Sequence, residues 1–120
     1  MTAASPFAVW WNDETLRDWV ERADHEAPQH PAIASPAPLT YSVLHARTRA
    51  LADFFQNLGL GRGDVIAAQL PNTVEFVLTY LASSYIGAIL QTLHMPYRGA
   101  ETEPLLLFSG AKAFVCVTAA

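Results

Sequence analysis

The chain has 120 residues, 52% of them hydrophobic and 15% charged, with a formal net charge of −4 at pH 7. So small a charged share excludes a disordered segment, and the length is enough to build one buried core. The acidic balance, with no basic run, excludes nucleic acid as the main partner, and the lone Cys116 excludes an intrachain disulfide.

A reducing, cytoplasmic location is therefore expected. The opening MTAASPFAVWWNDE has neither a basic n-region nor a long apolar run, so no signal peptide is expected. Asn12 or Asp13 is placed to cap a first helix, whose apolar positions Leu16, Trp19, Val20 and Ala23 follow at helical spacing. Trp10, Trp11 and Trp19 are expected to pack that helix. Pro28 and Pro31 end it, Ala32–Ala34 reads as a short strand, SPAP (35–38) as a turn, and Leu39 as a further extended residue.

Thr40 caps a second helix with Leu44, Leu51, Phe55 and Leu58 as its buried stripe and Arg47, Asp53, Gln56 and Asn57 as its polar side. Gly59 follows, where a left-handed residue is wanted. Val65–Leu70 is a strand that Pro71 stops. Asn72 with Glu75 resembles a capping box opening a third helix that is apolar nearly all round, from Val74 to Ile86. Such a helix is covered on more than one side. Residues 73–93 are about long enough to span a bilayer. Gly87 splits them and no Lys/Arg cluster flanks them, so no integral membrane span is expected.

Ile89–Leu93 is a second main strand, about Ala100–Phe108 a fourth helix with Pro104 in its first turn, Gly110 its stop, and Ala113–Val117 a third main strand. Strand–helix–strand–helix–strand with short connections predicts an α/β fold, a layered, mainly parallel sheet with helices. No internal domain boundary is expected within residues 1–120.

The stretch GLGRGDVIAAQLPN (59–72) invites a phosphate-loop reading. A phosphate loop needs the order strand, glycines, helix, so that amides at a helix N-terminus face the anion. Here the order is helix, glycines, strand, and no Lys-Ser or Lys-Thr follows. Arg62-Gly63-Asp64 also spells an adhesion tripeptide, but nothing else suggests secretion. The expected role is a turn that ends a helix and enters a buried strand.

LTYSVL (39–44), GLGRGDVIAAQLPN, Glu75-Phe76, Gly87-Ala88 and Ser109–Lys112 occur in an order and spacing that resemble the N-terminal region of AMP-forming acyl-CoA synthetases. These belong to the adenylate-forming superfamily, with luciferases and peptide-synthetase adenylation domains. The resemblance runs from about Asp13 to Val117, and HMPYRGAE (94–101) is closer to the fatty-acid or aryl-acid CoA ligases. It implies that this chain is an incomplete part of the family's large N-terminal domain, where helices lie between two sheets. It also implies a two-step reaction, in which a carboxylate attacks ATP to give an acyl-adenylate and pyrophosphate and a thiol, usually CoA, displaces AMP. ATP, Mg²⁺ and CoA are the implied cofactors of the parent enzyme. A carboxylic acid is its substrate, and the remainder of the same chain is this segment's partner. The Ser/Thr/Gly loop, adenine-binding aromatic, ribose-binding Asp and catalytic Lys of the family have no counterpart here, so this segment is expected to be inactive alone.

His25 and His30 bracket HEAPQH, one residue too long for a zinc HExxH and broken by Pro28, so no metal site is expected. Cys116 is expected in a buried strand as a structural thiol. His45 reads as a solvated or half-buried side chain. His94 follows a strand at its C-terminal end, where parallel sheets bind ligands, and with Arg98 it is the candidate lining of an acyl or pantetheine channel. The plainer alternatives are a His94 bonded to the turn that follows it and an Arg98 paired with Glu101 or Glu103. A self-contained, flavodoxin-like α/β binding module is the alternative reading of the whole chain. A membrane-anchored structural protein is a third, resting on residues 73–93 alone.

Overall fold

A computed structural model describes residues 5–8 and 11–118. Its elements are α1 (Leu16–Glu26), β1 (Pro31–Ile33), β2 (Leu39–Thr40), α2 (Tyr41–Asn57), β3 (Val65–Gln69), α3 (Val74–Tyr85), β4 (Ile89–Thr92), α4 (Gly99–Ser109) and β5 (Ala113–Cys116). β1 and β2 form an antiparallel pair, and the main sheet has the order β4-β3-β5, all parallel. The layered parallel α/β architecture expected from the strand–helix alternation is the one observed.

The caps explain where the helices start. Thr15, not Asn12 or Asp13, caps α1: its hydroxyl accepts the Asp18 amide while the Asp18 carboxylate accepts the Thr15 amide. Asn12 makes a smaller turn instead, its side chain accepting the Glu14 amide. Thr40 caps α2 as expected, accepting the Val43 amide. α3 begins after Thr73, not Asn72, and no side chain caps it. α4 begins at Gly99, which puts Pro104 in the second turn and not the first. The proline ring therefore removes one interior helix bond, toward Ala100. Gly59 and Gly110 both have positive φ, 89° and 66°, at the ends of α2 and α4.

Right-handed crossovers place the two long connections on opposite faces of the sheet, because β3 to β4 and β4 to β5 run in opposite directions across it. The α3 face is the filled one. Ile66, Leu81, Ala82, Tyr85 and Ile86 join Leu44, Ala52 and Phe55 of α2 in one core, with Val115 packed against it. α3 thus lies between the sheet and α1/α2, which accounts for its apolar circumference. α3 has 12 residues, and no helix among the described residues is long and apolar enough to cross a membrane.

The other face is thinly covered. Only Thr102 of α4 is buried, and Phe108 is 94% exposed. Phe114 is exposed as well. Cys116, expected to be buried, is exposed, because β5 is a sheet edge and Cys116 points away from the core face that holds Val115. The Cα radius of gyration is 16.7 Å, against about 14 Å for a compact chain of this length.

Two further expectations fail at the surface. Leu58 is 60% exposed: the buried stripe of α2 runs through Leu44, Thr48, Ala52 and Phe55, and Leu58 has left the helix as its C-cap. Trp11 and Trp19 are 81% and 56% exposed and do not pack α1 onto the core. Val20 does that, and the Trp19 ring carries the Arg22 guanidinium 5.5 Å from its centroid. Trp10 lies outside the described residues.

Candidate functional site

The parallel strands all end at one rim, and residues 93–98 cross it between β4 and α4. The turn is closed by the Tyr97 amide donating to the His94 carbonyl at 3.0 Å. The His94 ring packs edge-on against Tyr97, with centroids 5.6 Å apart and planes at 79°. A cavity of about 480 Å³ opens beside it, lined by Gln91, Thr92, Leu93, His94, Tyr97 and Leu105. That is within the range of small-molecule sites. Gln91 is held in place by Ser109, whose hydroxyl donates to its Oε1 at 2.7 Å, and by its own bond to the Leu105 carbonyl.

His94 and Arg98 sit on this one loop but face different work. Arg98 does not pair through its side chain with Glu101 or Glu103. The Glu101 carboxylate accepts the Arg98 backbone amide at 2.9 Å, capping α4. Nη1 of Arg98 donates to the carbonyls of Met95 and Tyr97 at 2.9 and 2.8 Å.

The residue that sequence reasoning missed is Gln69, the last of β3. Its Nε2 lies 2.9 Å from the His94 carbonyl, 3.3 Å from that of Met95 and 3.0 Å from that of Tyr97. The signal available was a lone amide at the end of the otherwise apolar VIAAQL. On the far side of Gln69 a second cavity, about 330 Å³, is lined by Met95, Arg98, Cys116 and Val117 among others.

The opposite rim is structural. In GLGRGD the Asp64 carboxylate accepts the Gly61 amide at 2.9 Å and pairs with Lys112 Nζ at 2.8 Å. These bonds, Lys112 first, hold the Asp64 carboxyl below its ordinary range. The Gly63 amide donates to Gly87, closing the turn onto the end of α3. An Asp64 so engaged is not presented for adhesion. The turn reading of the glycines holds.

Elsewhere, His30 Nδ1 sits 3.1 Å from the Pro31 carbonyl and its ring stacks on Tyr41, away from His25 in the last turn of α1. Among the described residues no group of three His, Cys, Asp or Glu gathers as a metal site. His45 is half-buried, its Nδ1 2.9 Å from the Tyr85 hydroxyl. Burial, with Glu21 next in effect, pushes the Tyr85 phenol up to about 12.

The fold is that of the N-terminal domains of adenylate-forming enzymes. A family model described as AMP-binding enzyme matches residues 20–120. The chain belongs to that family. It is 34% identical over 110 residues to the medium-chain fatty-acid–CoA ligase of Escherichia coli (strain K12), covering 90% of this chain and 19% of that protein. It is 43% identical over 77 residues to the 4-coumarate–CoA ligase CCL1 of Humulus lupulus, covering 64% of this chain and 14% of that one. The solved N-terminal subdomain of Klebsiella oxytoca NpsA superposes with a TM-score of 0.77 at 25% identity, over 88% of this chain and 29% of that one. The chain therefore spans a fifth or less of the length of these two curated relatives. The comparisons do not favour a self-contained flavodoxin-like module.

ATP and Mg²⁺, which the family implies, do not fit the residues described. Lys112 is the chain's only lysine. It lies at the N-terminal rim of the sheet, opposite the His94–Arg98 loop, and is held by Asp64. The short turn before α3 offers no Lys-bearing glycine loop.

Proposed function

We propose that this chain is the N-terminal scaffold portion of an ATP-dependent, AMP-forming acid–CoA ligase, with the nucleotide site supplied by sequence outside residues 1–120. The observation that carries this is the family match over residues 20–120 on a chain without nucleotide-activating residues among those described. In the parent, acyl-adenylate formation precedes thioester formation, with ATP, Mg²⁺, a carboxylic acid and CoA as reactants. The segment alone is inactive. Its own contribution is architectural: a sheet with α3 behind it and a ligand rim in front. At that rim His94 lines a channel for the acyl or pantetheine portion of a substrate, and Arg98 shapes the same loop. The single cysteine supports a cytoplasmic setting.

The test is to express the complete reading frame that contains this chain and to assay AMP release with a panel of fatty and aryl acids plus CoA. Acid- and CoA-dependent AMP release supports the reading. Its absence with every acid rejects it.

A further inference from the structure

We propose that Gln69 and Arg98 are positioning residues that hold the His94–Tyr97 loop in the form that receives the thiol substrate, so that they act on thioester formation and not on adenylation. This rests on the ligase reading above.

The carbonyls of Met95 and Tyr97 each meet two donors, Gln69 Nε2 from the sheet side and Arg98 Nη1 from the head of α4. The His94 carbonyl meets Gln69 as well. Three carbonyl oxygens thus converge, and they would repel one another without the donors between them. An amide NH₂ has two hydrogens for three acceptors, so the bonds are shared and the guanidinium completes the set. The clamp spans β3, the loop and α4, and it fixes the backbone from which the His94 and Tyr97 side chains reach the cavity. Removing one donor hands these largely exposed carbonyls to water and loosens the loop.

The thiol is favoured over the acid by the lining of the cavity beside the loop. The cavity mixes apolar Leu93 and Leu105 with polar Thr92 and His94, which suits a chain of methylenes and amides such as pantetheine.

The experiment uses the full-length protein and two readouts, acid-dependent ATP–pyrophosphate exchange without thiol and thioester formation against CoA concentration. Gln69→Leu and Arg98→Met should raise the KM for CoA roughly tenfold while exchange stays within about twofold of the parent. Arg98→Lys, which keeps a donor, should recover part of the loss. A KM for CoA that does not move, or a KM for the acid that rises instead, overturns the proposal. So does a parallel fall of both half-reactions with the melting temperature, which marks a merely structural role. If Gln69→Leu does not fold, the two Arg98 variants decide. An unmodified protein that makes no CoA thioester with any acid overturns the ligase reading and this proposal with it, whereas one that makes the thioester while the variants leave the KM for CoA unmoved overturns this proposal alone.

Discussion

Lys112 Nζ lies 2.8 Å from Asp64 Oδ1, which ties the turn before β3 to the start of β5. The same carboxylate also accepts the Gly61 amide. Two neighbouring parallel strands are thereby held together at the rim opposite the His94–Arg98 loop.

This pair predicts a pH dependence. Asp64 has a lowered pKa, caused first by Lys112 and then by the Gly61 amide. A carboxylate depressed on folding stabilises above its unfolded value and loses that contribution as pH falls through the folded one, here below about pH 4. In the full-length protein, Asp64→Asn should lower the melting temperature near neutral pH and flatten the acid limb of the stability profile. Superimposable profiles for parent and variant would show that the pair contributes nothing.

Gly59 predicts a purely conformational cost. Its φ is 89°, and a Cβ there meets nothing within 4 Å. Gly59→Ala should therefore cost about 1 kcal/mol in denaturant melts through backbone strain alone. Arg62→Lys keeps the methylenes that lie over Gly87 and should change little. An abolished nucleotide affinity in Arg62→Lys, with a silent Gly59→Ala, would contradict the structural reading of the turn.

The thinly covered face of the sheet predicts association. Phe114 is exposed on it, and Leu107 and Phe108 are exposed on α4. Apolar patches beyond a few hundred Å² favour self-association or partner binding. Purified 1–120 chain should bind a hydrophobic dye and sediment as more than a monomer, and Phe108→Ser should reduce both. A sharp two-state monomer with little dye binding would instead describe a self-sufficient module.

Much of this architecture is legible locally. Strand and helix alternation predicts the parallel sheet, Thr40 announces α2, and Gly59 and Gly110 mark two helix ends. Misses arise where a local pattern has two solutions or the answer is long-range. Asn12, Asp13 and Thr15 are all good caps, and only the Thr15–Asp18 pair closes reciprocally. The burial of Cys116 depends on which strand is an edge. Leu58 fits a helical stripe by count but falls after the last helical residue. The sequence places the candidate site at His94, but Gln69, which organises that loop, bonds across 25 to 28 residues to carbonyls that carry no sequence signature.

The most direct test of the account is acid-dependent ATP–pyrophosphate exchange, run in parallel on the 1–120 chain and on the product of the complete reading frame. Exchange is predicted for the complete product and none above a boiled control for the 1–120 chain. Exchange by the 1–120 chain, or its absence from the complete product with every acid tested, would contradict the claim that this segment is the scaffold of a ligase whose nucleotide chemistry lies elsewhere.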